Sequence, residues 1–96
     1  MEITEVRVHL CHEEKLKAFS TITFDDCFVV RNVKIISGNK GLIVCMPSRR
    51  LEDGTYKDVA HPITAGFRKK IEDKVLACYE EEVKRASANL RSQISQ

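Results

Sequence analysis

His9, Cys11 and His12 form the densest group of soft metal ligands in the chain. On a strand, His9 and Cys11 share one face while His12 points to the other, so the three cannot converge without a turn. Zinc sites are built from paired Cys or His motifs at set spacings, and no second pair accompanies this one. No metal or other cofactor is expected. The four cysteines, Cys11, Cys27, Cys45 and Cys78, lie 16, 18 and 33 positions apart. None carries a nucleophile signature, so joining any of them with His61 and Asp58 as a catalytic triad would be an arbitrary choice. Gly38 and Gly41 connect two strands and lack the Lys-Ser/Thr ending and following helix of a phosphate loop. These residues describe a protein that is not an enzyme and takes no small-molecule substrate.

The cations are more informative. Residues 1–47 carry six Lys/Arg against six Asp/Glu, residues 48–70 six against three, and residues 71–96 four against five. The formal net charge is only +2, yet the excess is concentrated in the middle. Arg49 and Arg50 stand on one side of a polar excursion, and Arg68, Lys69 and Lys70 on the other. The second group falls in the opening turns of a helix, where the macrodipole favours acids. An anionic partner would reconcile that choice, because free N–H groups and Lys/Arg side chains attract phosphate together. Successive helical residues point about 100° apart, so these three fan around the helix end, which suits contacts to phosphates more than reading of bases. With aromatic residues at 6%, a stacking platform for single strands is not evident from sequence.

The elements that position these residues follow from hydrophobic period. Val6, Val8 and Leu10 alternate with Glu5, Arg7 and His9, a half-buried strand. Residues 18–24 are rich in β-branched and aromatic side chains, and Asp25-Asp26 suits a tight turn. In residues 28–36, Phe28 and Val30 fall on one parity and Val33 and Ile35 on the other, so a bulge is expected near Arg31-Asn32. The run Leu42–Met46 reads as a central strand covered on both faces. Asp53-Gly54 marks a hairpin turn between residues 49–51 and 56–59. Beyond Pro62 the period becomes helical: Phe67, Ile71, Val75, Cys78, Tyr79, Val83, Ala86 and Leu90 make one stripe, with Thr64 as the N-cap. The pairs Glu80 to Lys84 and Glu81 to Arg85 support that helix to about residue 85. The fold class is α+β: an antiparallel β-sheet of about four to five strands followed by a C-terminal α-helix packed on the sheet.

Ninety-six residues suffice for one domain, since two cores would each need roughly 50. That domain is assigned to residues 1–86, with a Ser-, Asn- and Gln-rich tail over 87–96 that is expected to fray. No apolar run reaches the roughly 18 residues of a membrane span, and Met1–Glu5 lacks the basic start of a signal peptide, so a cytoplasmic protein with reduced cysteines is expected. A sheet this small leaves an edge strand open, and self-association is the natural remedy.

Several segments carry a more specific likeness. Met1–Arg7, Phe28-Val29-Val30, Gly38–Val44, Met46-Pro47-Ser48-Arg49-Arg50, Asp53-Gly54, and Asp58-Val59-Ala60-His61-Pro62-Ile63-Thr64 with Arg68 resemble the stage V sporulation protein G family, from residue 1 to about residue 80. The resemblance implies a small bacterial regulator of gene expression linked to septation, cell division or sporulation, acting as a homodimer joined through the sheet. It also implies binding of DNA, with RNA as a second candidate ligand, through basic residues at the helix start. Carried over by position, the contacts are Arg49, Arg50, Arg68, Lys69 and Lys70, of which Arg50 and Arg68 match the family pattern best. His9, Cys11, His12, Cys27 and Cys78 lie outside the motifs. The competing reading is a protein-interaction module of the septation pathway that binds no nucleic acid. His61-Pro62 is read as structural, because proline biases His61 toward extended backbone and ends the excursion before the helix cap.

Overall fold

The computed structural model describes residues 1–94, with side chains through residue 88. Six strands precede one helix: β1 (Ile3–Leu10), β2 (Leu16–Phe24), β3 (Phe28–Gly38), β4 (Gly41–Cys45), β5 (Ser48–Arg50), β6 (Tyr56–Asp58) and α1 (Ala65–Ile94). The first four form an antiparallel meander in the order β1-β2-β3-β4, and β5 and β6 make a separate two-stranded ribbon. Among the described residues no helix is long and apolar enough to cross a membrane.

The alternation seen in sequence decides which sheet face α1 covers. Val8 pairs with Ser20, Ser20 with Val33, and Ile35 with Val44, so these residues line one face. With Ala18, Ile22 and Phe24 they are buried beneath Ile71 and Val75 of the helix. Burial of the Val, Ile and Phe side chains among them contributes roughly 1.5–3 kcal/mol each before entropy is counted. The helix lies chiefly along β1. Two contacts fix its placement: the rings of Phe24 and Phe67 are 5.9 Å apart, and the Cys78 thiol donates to the Val6 carbonyl at 3.4 Å.

The expected bulge is present. Val30 faces Ile22 and Val33 faces Ser20, so Arg31 and Asn32 together oppose Thr21, and Asn32 takes a left-handed φ of 61°. Beyond the bulge, Val33 and Ile35 then fall on the buried face, with Lys34 between them on the other. The β2–β3 turn is left-handed at Asp25 and Asp26, and it is tied to the start of β1. The Glu2 amide donates to Asp25 Oδ1 at 2.8 Å, and the Asp26 amide donates to Thr4 Oγ1 at 3.0 Å.

β4 departs from expectation. It is an edge strand, with Leu42 38% and Ile43 50% exposed. In a meander of tight turns each strand pairs with its sequence neighbour, so the last strand ends at the edge however apolar it is. The helix continues through residues 87–94, so its backbone does not break where composition set the tail apart. Residues 95 and 96 of that tail lie outside the described residues, as do the side chains of Leu90 and its neighbours.

Candidate nucleic-acid interface

The ribbon that carries Arg49 and Arg50 is closed by its own turn chemistry. Gly54 takes a φ of 89°, the Leu51 amide donates to the Thr55 carbonyl at 2.7 Å, and the Gly54 amide donates to the Leu51 carbonyl at 3.0 Å. Asp53 Oδ1 accepts from the Thr55 hydroxyl at 2.6 Å and the Thr55 amide at 3.0 Å. Those bonds, the hydroxyl first, hold the Asp53 carboxyl below its ordinary pKa. At the base, the Val59 amide donates to the Pro47 carbonyl at 2.7 Å, so the ribbon springs directly from the end of β4. Ser48 faces Asp58, Arg49 faces Lys57 and Arg50 faces Tyr56, all of them exposed.

Thr64 caps the helix as its sequence position suggests. Its Oγ1 accepts from the Phe67 amide at 3.2 Å, and its carbonyl accepts from the Arg68 amide at 3.1 Å. The first turn contains no acid, so Arg68, Lys69 and Lys70 stand exposed around the positive end of the dipole. Among the described residues the ion pairs are Arg7–Glu5, His61–Asp58 and Arg85–Glu82. None involves Arg49, Arg50, Arg68, Lys69 or Lys70. Among the described residues, ion pairing does not neutralise their positive charge.

Residues 59–64 link the two groups. His61 Nδ1 lies 4.0 Å from Asp58 Oδ2, with both side chains about half exposed, which suits a joint between ribbon and helix. Among the described residues no three His, Cys, Asp or Glu side chains gather as metal ligands. His9 and His12 are exposed, and the Cys11 amide is occupied by the Lys17 carbonyl at 2.8 Å.

Two further exposed cations stand beside these, and sequence reading passed over both. Lys57 is the cross-strand partner of Arg49; counting back from Asp53-Gly54 in hairpin register finds it. Lys74 follows Lys70 by one helical turn, and both line a cavity of about 330 Å³ bordered by Met1, Ile3 and Phe67. The i, i+4 spacing was the available signal.

Residues 1–81 match the family model described as SpoVG. Similar chains that bear a septation-protein name, SpoVG, include one from Anaeromyxobacter sp. (strain Fw109-5), 54% identical over 88 residues and covering 92% of this chain and 91% of that protein. One from Myxococcus xanthus (strain DK1622) is 48% identical over 90 residues, covering 94% and 91%. Another, from Treponema denticola, is 57% identical over 81 residues, covering 83% and 87%.

Proposed function

The chain belongs to the SpoVG family, and from that premise we propose that it is a homodimeric regulator, linked to septation, that binds DNA, with RNA as a second candidate ligand, through the ribbon and the start of α1. One observation carries the reading: these exposed cations make no ion pair among the described residues, and two of their placements oppose local stability. Arg49 opposes Lys57 across the ribbon, and a helix start without acids carries Arg68, Lys69 and Lys70. Like charges directly opposite, and cations at a helix N-terminus, are each unfavourable in isolation. A polyanion relieves both.

The dimer is supported by β4. Its outer edge pairs with no strand among the described residues, and exposed Leu42 and Ile43 flank it on opposite faces. Antiparallel pairing of two β4 strands would extend the sheet and leave both ribbons and both helix starts accessible.

A gel-shift panel tests the function: duplex DNA, single strands and structured RNA, each across a salt series. Binding should fall steeply with salt and depend weakly on sequence. Equal failure on all three at low salt would favour the protein-interaction module instead, with exposed Phe28, Val59 and Ile63 as its contact surface.

A further inference from the structure

The β3 bulge opens a groove that the phosphate-binding reading does not use. Pairing with β4 begins only at Lys34, so the edge of β3 from Phe28 to Val33 has β2 on one side and no strand on the other. Pro47 and Ser48 at the start of the ribbon, with Val59 and Ala60 at its end, form the far wall of a cavity of about 660 Å³. Pockets of 300–1,000 Å³ are the usual size for bound small groups. Phe19, Arg31, Asn32 and Lys34 line the near wall.

The chemistry of that lining is specific. Phe19 lies between Ala18 and Ser20, which are buried under α1, so its ring belongs to the face the helix leaves open. His9, Phe19, Lys34 and Cys45 form one row across that face. The groove contains two cations and no carboxylate. Its neutral polar groups are the amide of Asn32 and the hydroxyl of Ser48. The rings of Phe19 and Phe28, two cations and an amide able to donate and accept together match an anion that carries a flat, hydrogen-bonding ring. That description fits a nucleotide.

Asn32 adds an independent observation. It holds a left-handed backbone, which strains a non-glycine residue. Asn tolerates the region better than most residues, yet Gly would relieve it fully. Bulges of this kind commonly re-aim a side chain beside a site.

We propose that the groove between β3 and the ribbon takes an unpaired nucleotide of a single strand, its base against Phe19 and Asn32 and its phosphate between Arg31 and Lys34. The proposal rests on the nucleic-acid reading and adds a preference for unpaired bases. The ribbon supplies continuity, because Ser48 in the groove directly precedes Arg49 and Arg50. A strand could therefore pass from the groove to those cations without leaving the surface.

The test compares full-length wild type with Phe19→Leu and Asn32→Gly on a single-stranded hexamer, a duplex of the same sequence and the free mononucleotide. Phe19→Leu keeps an apolar side chain and removes the ring face. It should weaken single-strand binding at least about fivefold, as loss of one stacked base does, and leave duplex binding unchanged. Asn32→Gly should raise the melting temperature while also weakening single-strand binding, a combination that a purely structural residue would not give. Amide resonances of residues 19 and 29–34 should shift on titration with the hexamer. Single-strand affinity unchanged in both variants would overturn the proposal, as would binding of the mononucleotide but not the hexamer. Shifts at residues 29–34 that follow protein concentration without nucleic acid would also overturn it, assigning the groove to a second copy. Wild type that binds the duplex but not the hexamer defeats the groove alone; wild type that binds neither defeats the function as well.

Discussion

Arg49 and Lys57 stand directly opposite each other in the β5–β6 ribbon. Like charges in that position destabilise a strand pair, and opposite charges contribute roughly 0.2–1 kcal/mol. Lys57→Glu should therefore slow amide exchange at Leu51, whose N–H closes the ribbon on the Thr55 carbonyl. The same change should weaken nucleic-acid binding. A ribbon that becomes firmer and binds as tightly as before would remove it from the interface.

Replacing Arg68, Lys69 and Lys70 together with Ala separates binding from folding. Each lost phosphate contact on duplex DNA removes roughly 0.9 from the slope of log affinity against log salt. The thermal melt should be unchanged or slightly higher, because these cations oppose the helix dipole. An unchanged slope would shift attention to Arg49 and Arg50.

Ile43 is half exposed on an unpaired edge, so Ile43→Lys should discourage strand-to-strand association with little loss of the core. Light scattering should give twice the chain mass for the wild type and the single chain mass for the variant. A wild-type protein that is monomeric at tens of micromolar contradicts the β4 dimer.

The Ser20 hydroxyl is buried in the core, and among the described residues it has no hydrogen-bonding partner. Leaving such a group unsatisfied costs roughly 1–3 kcal/mol, so Ser20→Ala should raise the unfolding midpoint in urea. A lower midpoint would mean that the hydroxyl is engaged in the native state.

Burial, and then Glu82 and Glu81, push the Cys78 thiol above its ordinary pKa. The folded state thus favours the neutral thiol. Its contribution is fully present below the unfolded thiol's pKa and is lost as pH rises through the folded one. Alkylation should reach exposed Cys27 first at neutral pH and Cys78 last, and Cys78 should quicken only at higher pH. Equal rates for the two thiols at neutral pH would contradict this placement.

Local signals in the chain carried far. The parity change at Arg31-Asn32 gave the bulge, Asp53-Gly54 the ribbon turn, and Thr64 the helix cap, because each depends on residues a few positions apart. What depended on neighbours in space was not legible. Leu42–Met46 has the composition of a central strand, and only the order of pairing makes β4 an edge. Phe19 looked like one more aromatic strand residue; its place in a groove appears once β3 is seen to outrun β4. Lys57 gained its meaning from register with Arg49, which a count of charges along the chain does not contain.

The packing of α1 along β1 joins the first described strand to the helix that follows all six: the Cys78 thiol meets the Val6 carbonyl across 72 positions of sequence. A ribosome therefore delivers the meander long before its cover. Throughout most of synthesis Val8, Ile22, Val33 and Ile35 form an apolar surface facing water, with an open β4 edge beside it. A nascent chain of this protein is adhesive until α1 emerges. Translation that stops within the helix codons would yield a sticky fragment rather than a weakened regulator, and demand for holding chaperones should fall once α1 has emerged.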